Sequence, residues 1–103
     1  MLKSALYIGL ATLCFALAGQ VSARDLSQDE ALKLRQAGVI LSSHTFIERA
    51  LERHPNARLL QLELEEKRGR YVYEVELLTV SWQARELKFD ALSGEILKDE
   101  EDE

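Results

Sequence analysis

Six carboxylates are the first side chains in this sequence with a chemical use to consider. Glu63, Glu65, Glu74, Glu76, Glu86 and Asp90 fall at alternating positions in three stretches, with Lys88 the one base interleaved among them. Alternation sends every second side chain to the same side of a strand. If the three stretches pair, the six acids gather on one sheet face. Such a face suits a basic protein partner or a hard divalent cation such as calcium, with Glu74 and Glu76 the candidate metal pair. The ordinary alternative is a solvated face screened by arginines of the adjoining loops.

Catalytic apparatus is absent from the sequence. His44 and His54 are the only histidines, and ten residues of helix hold them about 15 Å apart, too far to share a metal ion. Ser27, Ser42 and Ser43 stand where helix caps belong. No Gly-x-Ser-x-Gly elbow or His-Glu-x-x-His helix occurs, and no catalytic residue or cofactor is expected. The 103 residues carry 13 Lys and Arg against 18 Asp and Glu, a net charge of −5. That balance argues against nucleic acid, which requires clustered cations.

The elements that must position the acids are legible from periodicity. Ser27 and Glu30 have capping-box spacing, so a short helix should run to about Ala37 and stop at Gly38. A second helix, capped by Ser42 and Ser43, should run from His44 to about His54, ended by Pro55. Its buried stripe is Phe46, Ile47, Ala50, Leu51 and His54. From Arg58 the period changes to two. Leu60, Leu62 and Leu64 define one strand and Tyr71, Tyr73, Val75 and Leu77 a second. Leu87 and Phe89 lie in a third, Ala84 to Ala91, and Ile96-Leu97 makes a short fourth. The like-charged run Asp99 to Glu103 reads as a disordered tail. The expected fold is α+β, with one or two N-terminal helices packed on one face of a three- to four-stranded antiparallel sheet.

Residues 1–23 read as a signal peptide: Lys3, an apolar run from Ala5 to Ala18, then Val21-Ser22-Ala23. The run is short for an uncleaved membrane anchor. Leu13 before Cys14 argues against lipid attachment. The expected division is therefore 1–23 leader, 24–43 helix and connector, 44–98 domain and 99–103 tail, in a periplasmic or secreted protein without cysteine.

The helix ending in His54-Pro55, the strand containing Tyr73-Glu74-Val75, and the closing Asp90-x-x-Ser93-Gly94-Glu95 turn together resemble the PepSY domain. The likeness covers roughly Phe46 to Leu97. In the turn, the Asp90 side chain should accept backbone amides, Ser93 belongs to the motif, and Gly94 should supply a positive φ. One departure stands out. Thr79-Val80-Ser81-Trp82-Gln83 replaces a Gly/Asp-rich hairpin, and Trp82 at its tip either contacts a partner or folds back on the core edge. The resemblance implies a non-enzymatic exported regulatory or binding module, possible partners being a peptidase or another envelope protein. It supplies no active site. The alternative is a divalent-cation-responsive envelope protein using the acidic face. Candidate contact residues are Trp82 and the six acids.

Cleavage is expected after Ala23. Intact-mass analysis of the exported form should give Arg24 as its first residue, and a retained apolar segment would refute the reading.

Overall fold

The computed structural model describes residues 23–102, so the expected leader lies outside the described residues except for Ala23. The chain runs β1 (Arg24–Asp25), α1 (Gln28–Gln36), α2 (Ser43–Arg53), β2 (Arg58–Lys67), β3 (Arg70–Leu78), β4 (Ala84–Asp90) and β5 (Ile96–Glu101). The strands form one antiparallel sheet in chain order, with the helices on one side of it. The class is α+β as expected. There are five strands rather than three to four, because the two-residue β1 is too short to have a period.

Local chemistry sets the helix ends. The Ser27 hydroxyl accepts from the Glu30 amide while the Glu30 carboxylate accepts from the Ser27 amide, both at 3.2 Å, closing the capping box. At the other end Gly38 takes a φ of 75°. Its amide reaches the Arg35 carbonyl and that of Val39 the Leu34 carbonyl, the paired bonds of a Schellman stop. Ser42 caps α2 by accepting from the His44 amide. His54 leaves helical geometry because the residue before a proline is driven towards extended backbone.

The core lies between α2 and the sheet. Phe46 and Ala50 are fully buried, against Leu64, Tyr73, Val75, Leu77, Leu87 and Phe89. The Phe46 ring centre is 4.6 Å from that of Tyr73 and 5.5 Å from that of Phe89, within the range of favourable aromatic contact. The stripe thus centres on Phe46 and Ala50, with Ile47 and Leu51 half-buried at its sides. Ile40 plugs the sheet end beneath the connector, where the Leu41 amide donates to the Ala91 carbonyl. On β2 the leucine alternation breaks at a bulge between Leu59 and Gln61, leaving Leu60 exposed and Leu64 buried.

The tail expectation needs correction. β5 continues through Asp99, Glu100 and Glu101, and the Asp102 amide donates to the Ala84 carbonyl. The reason is that strand alternation splits the acidic run between two faces. Asp99 pairs with Leu87 and so faces the helices, where Arg53 Nε, His54 Nε2 and Arg85 Nε lie 2.9, 2.9 and 2.8 Å from its oxygens. Burial works to raise the Asp99 carboxyl, but the hydrogen bonds from Arg53, Arg85 and His54 override it and hold it at about 2.

Because the folded Asp99 titrates below an ordinary aspartate, its contribution is present above about pH 4 and is lost as pH falls towards 2. Asp99→Ala should therefore destabilise the domain by about 2 kcal/mol in neutral urea melts, the loss of charge-assisted hydrogen bonds. Glu101→Ala should stay within about 0.5 kcal/mol. Equal, negligible effects would mean a tail without structure.

Candidate acidic sheet face and hairpin tip

The sheet side away from the helices carries the acids in rows. Register aligns Gln61, Glu76, Glu86 and Glu100 across β2 to β5, and next to them Glu63, Glu74, Lys88 and Lys98. Glu63–Glu74 and Glu76–Glu86 are therefore direct pairs of acids, unfavourable by about a few tenths of a kcal/mol whenever both members are ionised. Glu65 lies opposite Asp25 and Val72, and Val72 opposite Asp90.

The six acids share this face but do different things. Asp90 holds the β4–β5 turn: its Oδ1 accepts from the Leu92 and Ser93 amides at 2.9 Å, and its Oδ2 accepts from Arg70 Nε at 3.0 Å. The bond from the Ser93 amide, aided by Arg70 and the Leu92 amide, lowers its pKa. Ser93 Oγ accepts from the Glu95 amide. Gly94, at φ 81°, exposes a carbonyl that accepts from Arg49 Nη1 of α2 at 2.6 Å. A Cβ on Gly94 would collide with that guanidinium, so the turn is a socket for Arg49 as well as a reversal of the chain.

Glu86 accepts from Lys98 Nζ at 3.2 Å and lies 3.7 Å from Lys88 Nζ. Lys98 was not among the expected partners, because the fourth strand was expected to stop at Leu97. Alternation from Ile96 gives no signal for it either, because a register shift in the β4–β5 pair sets Ile96 opposite the buried Phe89 and Lys98 opposite Lys88 on the other face. Glu74 sits between Glu65 and Glu86. Hydrogen bonding to Glu65, partial burial and hydrogen bonding to Glu86 push its pKa up to about 8. The Glu86 carboxyl, receiving that proton's hydrogen bond and the Lys98 ammonium, moves down. Desolvation first, and Asp102 second, raise Glu76. Glu63 accepts from the Gln61 side-chain amide. Among the described residues, Asp25, Glu63 and Glu65 bring carboxylate oxygens within 4.8 Å of one another, a group that does not include the expected Glu74 and Glu76 pair.

Trp82 stands apart, at the hairpin tip between β3 and β4. The Trp82 amide donates to the Thr79 carbonyl and the Thr79 amide to the Gln83 carbonyl, while the Gln83 amide reaches Thr79 Oγ1. This geometry needs a left-handed residue before β4, the place where glycine usually sits. Trp82 fills it at φ 63° and is 78% exposed, beside Val80 at 70%. The ring does not fold back on the core.

The histidines play no part on this face. His44 lies 2.8 Å from Glu48 at the exposed start of α2, and His54 belongs to the Asp99 cluster.

The arrangement offers contact surfaces and a shared proton. The chain belongs to the PepSY family: the model described as Peptidase propeptide and YPEB domain matches residues 40–100. The match takes in α2 and the sheet from β2 to Glu100 and leaves β1 and α1 outside it. PepSY domains are regulatory and propeptide-like rather than catalytic. No curated protein and no solved structure matches the chain. Among the described residues no helix is long and apolar enough to cross a membrane.

The raised Glu74 has a definite consequence for stability. The folded state binds this proton more tightly than the unfolded chain, so stability should fall as pH rises from about 4.5 towards 8. Glu74→Gln keeps a donor for Glu65 and Glu86 but has no proton to lose. Urea melts between pH 5 and 8 should show a shallower fall for the variant than for the parent. Parallel curves would refute the shared proton.

Proposed function

We propose that this protein is a non-enzymatic, exported binding module of the cell envelope, periplasmic or secreted, which regulates a peptidase or another envelope protein by contact. The observation that carries this is Trp82. A large aromatic side chain is held in solvent, in a backbone conformation that disfavours every residue but glycine by about 1 kcal/mol or more. Strain of that kind without any packing return fits a side chain whose packing is completed by a partner, and tryptophan is the residue most enriched at the energetic centres of interfaces. Val80 beside it extends the apolar tip.

Family membership supports the regulatory part of the reading, since the family description is that of a peptidase propeptide. The acidic face supports a partner with complementary positive charge. The cation-responsive alternative has less to stand on, because Arg70 and the Asp90 turn, and Lys88 and Lys98 at Glu86, already neutralise two of the six acids.

The test pairs stability with inhibition. Trp82→Gly should raise folding stability by about 1 kcal/mol through relief of the left-handed strain. The same change should abolish the slowing of a co-exported peptidase that the parent protein produces on a peptide substrate. The protein alone should turn over no peptide, ester or phosphate. Turnover lost on a single substitution, or unaltered inhibition by the Trp82→Gly variant, would overturn the proposal.

A further inference from the structure

The outer edge of β2 is only partly paired. Arg24 and Asp25 lie against Glu66 and Glu65, and the Leu26 amide donates to the Leu64 carbonyl at 2.9 Å. At Ser27 the chain lifts away into α1. From Glu63 back to Arg58 no strand among the described residues pairs with this edge. By the two-residue period of a strand, Leu62 presents its N–H and C=O in the same direction as Leu64. The chain thus shows with its own N-terminal residues that the edge accepts an added strand, and then leaves the adjoining stretch open.

Open edges in soluble proteins are normally blunted by charge, proline or a bulge. This one has a bulge between Leu59 and Gln61 and yet leaves Leu59 and Leu60 42% and 51% exposed. Beside it, on the helix side, a cleft of about 510 Å³ opens between α1 and β2, with Leu26, Ala31, Leu62, Leu64 and Tyr73 on its apolar wall and polar groups, Arg35 among them, on the rest; Asp25 and Glu63 also border it. On the other side of the same edge stand Asp25, Glu63 and Glu65, the three neighbouring carboxylates.

We propose that the β2 edge from Arg58 to Glu63 receives an extended segment of a protein partner by strand addition, an apolar side chain entering the α1–β2 cleft and the next, Lys or Arg, meeting Asp25, Glu63 and Glu65. Neighbouring side chains of a strand point to opposite faces, so the edge reads an alternation of apolar and basic residues. Main-chain hydrogen bonds hold the segment, and the cleft and the carboxylates select its sequence. The inference rests on the protein-binding reading above and gives it a second surface, distinct from the Trp82 tip.

Capped peptides of alternating leucine and lysine test it against the protein, by fluorescence anisotropy and by amide hydrogen exchange. Two further peptides carry N-methyl groups on every second amide, in opposite phases. The phase that blocks the donor facing the Leu62 carbonyl should weaken binding about fivefold, one lost hydrogen bond, and the other phase should bind like the parent peptide. Exchange of the Leu62 amide should slow on binding. The double variant Asp25→Asn, Glu63→Gln should weaken binding without lowering the melting temperature. Equal binding by both methylated phases would reduce the effect to charge attraction and overturn the proposal. So would protection mapped to β5, absence of binding, or self-association of the protein through this edge. Absent peptide binding together with intact Trp82-dependent inhibition would sink the edge alone and leave the binding module standing.

Discussion

One phenyl ring organises this domain. Phe46 is the point at which α2, with its strong apolar stripe, meets the centre of the sheet, and its contacts with Tyr73 and Phe89 span β3 and β4. A sheet covered on one side alone must find its whole core on that side, so everything else in the fold keeps α2 over this spot. Asp99 gathers Arg53 and His54 at the C-terminal end of the helix and ties them to Arg85 of β4. Further along, Arg49 is held by the Gly94 carbonyl. Two polar fastenings thus set the helix on the sheet, while the ring supplies the apolar contact between them.

Such one-sided burial leaves the opposite face to electrostatics. Its rows of acids are tolerated because the chain distributes their charge: one is absorbed by a turn, one by two lysines, and one keeps its proton. The face is therefore less negative near neutral pH than its composition implies. The hairpin tip and the β2 edge each expose a pair of apolar side chains, Val80 with Trp82 and Leu59 with Leu60, besides single ones elsewhere such as Leu92. The partner contacts proposed above fall accordingly on the rims of the sheet, with the acidic face setting the sign of the charge that would approach.

Much of this was legible in the sequence. The Ser27–Glu30 spacing, the Gly38 stop, the two-residue period of β3 and β4 and the Asp90–Glu95 turn each have a local cause, and local causes survive into the fold. What escaped depended on partners distant in the chain. The run from Asp99 onward looked like mutually repelling charge, since nothing nearby announces that Arg53, His54 and Arg85 converge on Asp99. Lys98 was missed for the same reason. β1 is invisible because two residues make no pattern and their pairing is fixed by Glu65 and Glu66. The bulge at Leu59–Gln61 interrupts an alternation that reads as continuous. At Trp82 the missing glycine pointed to an unusual hairpin, yet only the backbone angle distinguishes a ring held in water from one turned inwards.

The order of the strands bears on how quickly the chain reaches this state. From β2 to β5 each strand pairs with its successor in the sequence, so the hairpins close short loops and need little search, the condition for rapid folding in a protein rich in sheet. The links that span long stretches join α2 and its connector to β4, β5 and the turn between them, through Leu41, Phe46, Arg49 and Asp99, and join Arg24 and Asp25 to β2. On entropic grounds these close after the hairpins. The seating of α2 on the sheet and the laying of the N-terminal residues along β2 then belong to the later part of folding, and until the second of these is complete the whole outer border of β2 is unpaired.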